Sequence, residues 1–538
     1  MKPTLPLSQR LLLRRIAIAG FVCFLQFSPY LGSLSRVRNR YFRFWDLTDG
    51  AAIIADVLFL TVIAVTASLV IDRLSRPLLQ KIYRHMFVIA LGSGVIANLP
   101  PIHFARSTQQ EFLWFVLVAI TGYSFGNVSS SLVRRAATCC LVLSPVILIV
   151  MGQMLFWRAW TPDSTPVRVT ARSRPGPSTP VFMFVFDEWS YSRSTRLGEF
   201  LTELPNLRRL ASQSIDFRKA YSPSTTTYRS LPMLIYQTDQ AGNLPGAFVR
   251  QGKREWVNEG EVDWQYRDGV APQSLFGLAR ESNYETYLLG FYLPYADMLH
   301  DQVDYCRSFP FYPKGSGFFK KMEFGMLESM RYWGESTAER EWRNLYNRAF
   351  VQHWFDLQEN MDGELERLIT ECPDNTFAFI HWPLPHAPFV FNSDGSHKAL
   401  APVDYQKAKD DDEDRMNGSP EQYLTQLEYL DLFIGKVIDR LKTSAKFDSA
   451  LLLITSDHSW RNETDSSFLL APRAVQRVPL IVKLPGQNAG SVVDSEVSTV
   501  RLRSIINQAL RGDSTDNRES NMLTAVRKIY TDDSSTFR

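Results

Sequence analysis

Hydrophobic and polar positions divide this chain into two parts with different patterns. The first 157 residues contain five long stretches with almost no charge, each close to the roughly 20 residues that a helix needs to cross a bilayer. They are Ile16–Ser35, Ala51–Ile71, Met86–Ile102, Phe112–Val133 and Ala136–Trp157. Buried helices of a large soluble protein are the alternative, but such helices rarely follow one another so closely. The pattern over residues 1–157 therefore predicts an N-terminal bundle of five transmembrane helices.

The rest of the chain has the pattern of a globular domain. Residues 158–180 contain five prolines and no apolar periodicity, which is typical of an extended linker. From Val181 short apolar strands alternate with helical stretches. This alternation predicts an α/β domain with a mostly parallel central sheet at residues 181–510. The remaining residues 511–538 are polar, so we expect a mobile C-terminal tail.

Basic residues near the predicted spans set the expected orientation. Clusters of Lys and Arg precede the first span and lie between the second and third and between the fourth and fifth. They place the N-terminus in the cytoplasm, so a multi-pass protein of the cytoplasmic (inner) membrane would carry the α/β domain on its periplasmic or extracellular side. Four arginines do not fit, because they fall in an external loop, where anionic lipid is their expected partner: Arg36, Arg38, Arg40 and Arg43.

Charge and cysteine content exclude few classes of function. The net charge is +3, and no segment combines a dense basic face with aromatic residues, so we expect no nucleic-acid partner. Only two of the five cysteines, Cys306 and Cys372, lie in the predicted exported part. A disulfide between them suits an oxidising compartment, and two free thiols remain the alternative.

Polar residues follow three apolar strands of the predicted domain. They are Asp187 with Glu188, His381 with His386 five residues on, and Asp457 with His458. In open α/β sheets, ligands bind beyond the carboxyl ends of the strands, so we expect these side chains to meet. Carboxylates and imidazoles of this kind suit a hard-to-borderline cation such as Zn²⁺ or Mn²⁺. The sequence therefore predicts a metal-dependent enzyme.

Three consecutive threonines, Thr225, Thr226 and Thr227, precede a segment that can begin a helix near Arg229. A hydroxyl at a helix N-terminus beside a divalent cation can lose its proton and attack phosphorus or sulfur. The alternative is that one of these threonines only caps the helix, and spacing alone does not choose among them. His386 lies in a Pro-bounded loop that can aim its imidazole at a substrate oxygen, and a hydrogen-bonded surface His is the alternative there.

In this order, the fragments resemble the alkaline phosphatase–sulfatase superfamily. The matching pieces lie between about Val181 and Gln487 and read VFDEWS, LPNLRRLASQSIDFRKAYSPSTTTYRSLPMLIYQ, HWPLPHAPF, TSDHS and RVPLIVKLPGQ. Five predicted spans before such a domain look most like the membrane-anchored phosphoethanolamine transferases and the lipoteichoic acid synthase group. The resemblance implies an alkaline phosphatase-like fold.

The resemblance also assigns roles to individual residues. It implies metal ligation by Asp187, Thr227, Asp457 and His458, and catalysis by Thr227 as nucleophile and His386 as the substrate-facing His. Thr227 is selected because it precedes Ser230 of an SLP segment by three positions, and Thr225 is the second choice. Further second-acid or substrate contacts are implied for Glu188, His381 and Arg229.

Two departures from the family patterns refine this expectation. The run Thr227-Tyr-Arg-Ser-Leu lacks the Cys or Ser from which formylglycine is made, which disfavours that sulfatase mechanism. No His follows His458, so a second zinc built from a later His is disfavoured and one divalent ion, Zn or Mn, fits better.

The function expected from the resemblance is transfer of a phosphoethanolamine or phosphoglycerol head group. A membrane phospholipid would be the donor, and an envelope glycan or lipid would be the acceptor. A sulfatase-like hydrolase of sulfuric or phosphoric esters is the first alternative. A catalytically silent membrane protein is the second.

Overall fold

The structure is a computed structural model that describes most, but not all, of the chain. The described residues are 6–35, 47–74, 76–97, 130–156, 178–239, 248–250, 264–266, 273–299, 302–311, 317–330, 337–398, 419–461, 476–511 and 515–531. They form two compact units, each with its own contacts. The N-terminal unit comprises Met1–Asp163 and Tyr312–Phe350, and the sheet unit comprises Ser164–Phe311 and Val351–Arg538.

The helices are, in chain order, α1 (Leu7–Ser35), α2 (Leu47–Leu74), α3 (Pro77–Ala97), α4 (Ser130–Leu143), α5 (Pro145–Phe156), α6 (Tyr191–Ser194), α7 (Pro205–Ala211), α8 (Thr227–Tyr236), α9 (Leu275–Glu281), α10 (Tyr295–Leu299), α11 (Phe318–Met330), α12 (Thr337–Glu371), α13 (Pro420–Thr443), α14 (Arg503–Arg511) and α15 (Thr515–Thr531). A short 3-10 turn covers Thr499–Arg501.

The strands are β1 (Val181–Asp187), β2 (Thr195–Arg196), β3 (Glu199–Phe200), β4 (Ile215–Tyr221), β5 (Phe248–Arg250), β6 (Trp264–Tyr266), β7 (Glu285–Phe291), β8 (Tyr305–Phe309), β9 (Thr376–Pro385), β10 (Leu451–Ser456), β11 (Arg477–Val478), β12 (Leu480–Lys483) and β13 (Ser491–Ser498).

Among the described residues of the N-terminal unit, three helical stretches are long and apolar enough to cross a membrane. They are Leu7–Ser28, Thr48–Leu74 and Val133–Gln153. The predicted third span falls on α3, which carries Lys81 and Arg84 and is not among them. The predicted fourth span lies almost wholly outside the described residues, as does most of the predicted linker. The five-span bundle thus stays a prediction, while three apolar helices are present.

Close packing within this unit depends on small residues. The Gln26 side chain of α1 donates a hydrogen bond to the Ala90 carbonyl of α3 at 2.8 Å. A Cβ atom at Gly94 would lie only 2.7 Å from the Gln26 Nε2 atom, so glycine is what allows the two helices to approach.

The sheet unit is built on one mixed sheet with the strand order β11-β4-β12-β10-β1-β9-β7-β8, and β13 pairs with β4. The pairs β1–β10, β1–β9, β7–β9, β7–β8 and β4–β13 are parallel. Antiparallel pairs occur where β12 meets β10 and β4, and where β11 meets β4. The prediction of a mostly parallel central sheet is confirmed.

Register at the centre of the sheet brings the predicted strand ends together. Strand β1 lies between β9 and β10, and all three strands are buried along their whole length. Phe186 pairs with Ser456 on one side and with Trp382 on the other. Residues that follow these positions therefore emerge at the same edge of the sheet.

The C-terminal segment differs from the expected mobile tail. Residues 515–531 form helix α15, with buried Met522, Ala525, Val526 and Ile529. These residues follow helical spacing, so a short apolar stripe inside a polar sequence is enough to dock the helix. The two cysteines of the sheet unit, Cys306 and Cys372, are both free and buried.

One buried carboxylate joins two helices beneath the sheet. Asp431 of α13 accepts hydrogen bonds from the backbone N–H of Asn206 at 3.2 Å and of Leu207 at 2.7 Å, and from the Asn206 side chain at 2.8 Å. The two backbone N–H groups belong to the first turn of α7, and the N-cap residue before it, Leu204, makes no side-chain capping hydrogen bond. Asp431 therefore supplies the cap from another part of the chain.

We expect Asp431→Ala to lower the free energy of unfolding by about 2 kcal/mol, because buried N–H groups would lose a charged acceptor. Thermal unfolding of the purified full-length protein measures this. Asp439→Ala is the matched control, since Asp439 is exposed on the same helix. Equal unfolding temperatures for the two variants would contradict the capping role.

Candidate functional site

The end of β1 lies at the centre of a cluster of acidic, imidazole and hydroxyl groups. The Asp187 Oδ1 atom lies 3.4 Å from the Thr227 Oγ1 atom and 3.6 Å from the His458 Nε2 atom. Its Oδ2 atom lies 4.0 Å from the His381 Nε2 atom. Side chains from β1, β9, the start of α8 and the end of β10 thus meet around one carboxylate.

Asp457 and His458 follow β10 directly and are fully buried. The Asp457 Oδ1 atom accepts the backbone N–H groups of Glu188 at 3.2 Å and of His458 at 2.7 Å. Its Oδ2 atom makes no hydrogen bond within the described residues and lies 3.4 Å from the His458 Nε2 atom. One oxygen is therefore used to fix the turn, and the other remains available to a ligand.

The tautomer of His458 follows from its neighbours. Its Nδ1 atom lies 2.8 Å from the Ser459 carbonyl, which can only accept, so the ring hydrogen is on Nδ1. The Nε2 lone pair then points to the Thr227 Oγ1 atom at 3.2 Å. A backbone carbonyl that orients an imidazole in this way is typical of metal-binding histidines.

Thr227 is the threonine that the fold brings to the cluster. It begins helix α8 and is 5% exposed, whereas Thr225 is exposed to solvent. Thr226 precedes the helix in extended conformation, but its side chain makes no capping hydrogen bond. The capping alternative is therefore not what the structure contains, and the Thr227 hydroxyl faces Asp187 and His458 instead.

His381, expected as a second-acid or substrate contact, lies among the possible metal ligands. One ligand atom each from His381, Asp187 and Asp457 lie within 4.8 Å of one another. Its Nδ1 atom lies 2.8 Å from the Tyr295 hydroxyl, and its Nε2 atom makes no hydrogen bond in the described part of the chain. Burial lowers the pKa of His381 to about 4, so its imidazole is neutral and can act as a ligand.

Glu188 and His386 form a second group beside the first. Glu188 is fully buried and accepts a hydrogen bond from the Arg461 Nε–H group. The His386 Nε2 atom lies 3.9 Å from the Glu188 Oε2 atom and 3.1 Å from the Arg461 Nη2 atom. Because the His386 Nδ1 atom contacts the Ala387 carbonyl, the ring hydrogen is on Nδ1. Nε2 of His386 therefore accepts from Arg461 in this arrangement.

Arg461 was not found by sequence reasoning. The signal was present, since a cation follows the buried Asp457-His458 pair by three residues, but its partner is set by the fold. The predicted contact Arg229 is half-buried in the first turn of α8, with its guanidinium 5.9 Å from the centroid of the Tyr228 ring. Its role as a substrate contact stays a prediction.

The buried carboxylates of Asp187 and Glu188 differ in how their charges are compensated. Burial raises the pKa of Asp187 well above its usual range, and the neighbouring charges of Asp457 and Glu188 raise it further. Burial alone would also raise the pKa of Glu188, but His386 and Arg461 hold it below the usual value. Arg461 thus compensates the charge of Glu188, whereas a cation from outside the chain would compensate that of Asp187.

The residues present fit a divalent metal ion. The buried Asp457 Oδ2 and His381 Nε2 atoms lack hydrogen-bond partners among the described residues, and both are metal-ligand atoms. Together with Asp187, His458 and Thr227 they form a set of oxygen and imidazole donors. Such a set suits Zn²⁺ or Mn²⁺.

Comparison with known proteins gives a family match and several similar solved structures. A family model described as Sulfatase matches residues 181–510. Several solved structures are similar to this chain. One is a phosphonate monoester hydrolase of Agrobacterium radiobacter, with 15% identity over 62% of this chain and 74% of that chain and a TM-score of 0.37. A protein in the alkaline phosphatase superfamily from Vibrio parahaemolyticus is 16% identical over 65% of this chain and 72% of its own, with a TM-score of 0.36. A sulfatase from Pseudoalteromonas sp. is 14% identical over 64% and 69%, with a TM-score of 0.36. No curated protein matches the chain.

The Glu188–Arg461 pair makes a stability prediction. Arg461→Met leaves a buried carboxylate without its cation, so we expect the pKa of Glu188 to rise and the free energy of unfolding to fall by about 1 to 3 kcal/mol. The double variant Glu188→Gln with Arg461→Met removes both charges and should recover most of this loss.

Thermal unfolding of the four proteins of this double-mutant cycle measures the coupling. If the two single effects simply add in the double variant, the pair does not stabilise the site.

Proposed function

This chain belongs to the sulfatase family, and from that membership and the position of Thr227 we propose that it is a membrane-anchored, metal-dependent head-group transferase. The family makes it a phosphotransferase or hydrolase of the sulfatase-like kind. The proposal is that it moves a phosphoethanolamine or phosphoglycerol type head group from a membrane phospholipid to an envelope glycan or lipid. The observation that carries it is a buried threonine hydroxyl within 3.4 Å of Asp187 and 3.2 Å of His458.

Thr227 is the proposed nucleophile. Its hydroxyl oxygen attacks phosphorus of the lipid phosphodiester and loses its proton, the bond from phosphorus to the diacylglycerol oxygen breaks, and the lost proton ends on that leaving oxygen. A hydroxyl of the acceptor then attacks the phospho-threonine, gives up its proton, and releases the Thr227 oxygen. Thr227 is held ready by its place at the N-terminus of α8, where free N–H groups and the helix dipole favour negative charge.

Asp187, Asp457, His458 and His381 are the residues that would hold the metal ion. When bound there, a divalent cation lowers the pKa of the Thr227 hydroxyl and neutralises charge on the phosphoryl oxygens. The same cation would compensate the buried charge of Asp187. A single ion is what the donor set of the described residues supports.

Arg461 is the proposed contact of the transferred group, and His386 is its proposed positioning residue. The Arg461 side chain is 46% exposed beside Glu188, so its guanidinium can donate to phosphoryl oxygens while keeping its buried partner. The expected donor role of His386 would require a hydrogen on Nε2, which at present accepts from Arg461. We therefore propose that Arg461 provides the N–H groups and His386 positions it.

A sulfatase-like hydrolase is supported equally by the family match. The same residues would act, with water as the second nucleophile and a sulfuric or phosphoric ester as substrate. Three apolar helices long enough to span a membrane favour a lipid-borne donor over a soluble ester. The catalytically silent alternative is disfavoured, because the family assignment is joined by a nucleophile and a donor set in mutual contact.

Incubation of the purified full-length protein with isotope-labelled phospholipids tests the nucleophile. We expect mass spectrometry to find a head-group adduct on the peptide that contains Thr227. The Thr227→Ala variant should form no adduct, and its turnover should fall by at least about a thousandfold. Thr225→Ala is the control and should keep both. An adduct on Thr225 would refute the choice of nucleophile, and turnover without any adduct would refute the covalent route.

Metal analysis tests the donor set. We expect about one equivalent of Zn or Mn per chain, loss of activity with a chelator, and recovery when the ion is returned. His381→Ala should weaken metal affinity by about tenfold or more. His397→Ala is the matched control, because His397 is an exposed imidazole stacked on Phe355, with ring centroids 3.6 Å apart. Unchanged metal affinity in the His381 variant would exclude His381 from the ligands.

A further inference from the structure

Helix α11 belongs to a different unit from the segments that flank it in the sequence. It lies between two segments of the sheet unit along the chain, yet residues 312–350 group with the N-terminal unit. There α11 contacts α1 and α2, the first two apolar helices, although more than 240 residues separate it from α2 along the chain. Met326 of α11 packs against the apolar core that these helices share.

The contact between α11 and α2 is specific. The Lys321 Nζ atom of α11 lies 3.1 Å from the Asp49 Oδ1 atom of α2, and both side chains are largely buried. Gly325, one turn further along α11, lies against Asp56, where an added Cβ would be 2.9 Å from the Asp56 Oδ2 atom. Gly317, just before the helix, has nothing within 4 Å of that position. Gly325 is therefore needed where it is because α2 approaches closely.

These contacts fix which end of α2 the helix meets. Asp49, Ile53 and Asp56 belong to the first three turns of α2, the end nearest the loop that the orientation rule places outside the cytoplasm. Helix α11 thus lies at one end of a predicted span rather than along its whole length.

The exposed start of α11, where Lys320 also pairs with Glu323 at 2.7 Å, has the chemistry of a membrane interface. Phe318 and Phe319 are 43% and 83% exposed, with their ring centroids 5.8 Å apart. The side chain of the adjacent Lys320 is 61% exposed. Exposed aromatic rings cost free energy in water, whereas rings beside a lysine are favourable at the boundary of a bilayer, where the lysine chain reaches the head groups.

We propose that α11 is a membrane-interface helix, held on the end of α2 by Lys321 and Gly325, with Phe318 and Phe319 in the lipid of the membrane that α1 and α2 span. The occupant of the exposed aromatic surface is bilayer lipid, because the helix docks on the end of helices whose own length and composition suit a bilayer. The segment that contains α11 would thus contact the membrane although it lies far along the chain from the N-terminal spans.

Photocrosslinking in membranes tests this proposal with the full-length chain. The photoreactive residue p-benzoylphenylalanine replaces Phe319, a change close in shape to the native ring, and the membranes are irradiated. Phe59, 52% exposed on α2, is replaced in the same way as the membrane-embedded reference, and Leu197, 96% exposed in the sheet unit, is the water-exposed control. We expect phospholipid adducts on the peptides containing positions 319 and 59 and at least a tenfold lower yield at position 197.

Each other result overturns the proposal. Lipid adducts at position 59 without adducts at 319 would place the two phenylalanines in water. A protein cross-link at 319 in place of lipid would assign the surface to a protein partner. Absence of lipid at position 59 would show that α2 does not span a membrane, and equal yields at 197 and 319 would show that the lipid contact is not specific.

Discussion

Buried negative charge at one edge of a parallel sheet is the constraint on which this site depends. Asp187, Glu188 and Asp457 are all buried at neighbouring strand ends, and a buried negative charge is costly unless a positive charge compensates it. Arg461 compensates Glu188 from within the chain. Among the described residues, neither Asp187 nor Asp457 forms an ion pair with a lysine or arginine, and a divalent ion held between them would compensate their charge.

Sequence reasoning located the groups that stand at strand ends, because a polar residue after a continuous apolar run is visible in one dimension. Asp187, Asp457 and His458 are of this kind. His381 was grouped with them as a residue that follows a strand, but it lies within buried strand β9, and its register opposite Val185 places it beside the cluster. Arg461 could not be paired from sequence, since the choice between solvent, His386 and Glu188 is decided by tertiary structure.

Hydropathy predicted apolar helices well and their packing poorly. A hydropathy window measures length and composition, so it identified α1 and α2 but could not show that Gly325 fits against Asp56. Helix α11 lies within the predicted α/β domain in sequence, so hydropathy alone does not assign it to the N-terminal unit. Helix α15 was not predicted because its four buried apolar residues are few within a polar segment. These four residues share one helical face, which is what buries them. In both cases long-range contact, rather than local propensity, decides the outcome.

The proposed nucleophile limits the chemistry that is open to this site. A threonine cannot provide the aldehyde hydrate of formylglycine, so on the proposed route the intermediate on Thr227 is resolved by attack of an acceptor hydroxyl or of water on the transferred group. Thr227 is 5% exposed and its neighbours Asp187 and His458 are buried, which limits the approach of bulk water to the reacting atom. An acceptor that binds beside Arg461 would then compete favourably with water through its effective concentration. On the proposed route, the balance between a bound acceptor and excluded water would decide between transfer and hydrolysis at this site.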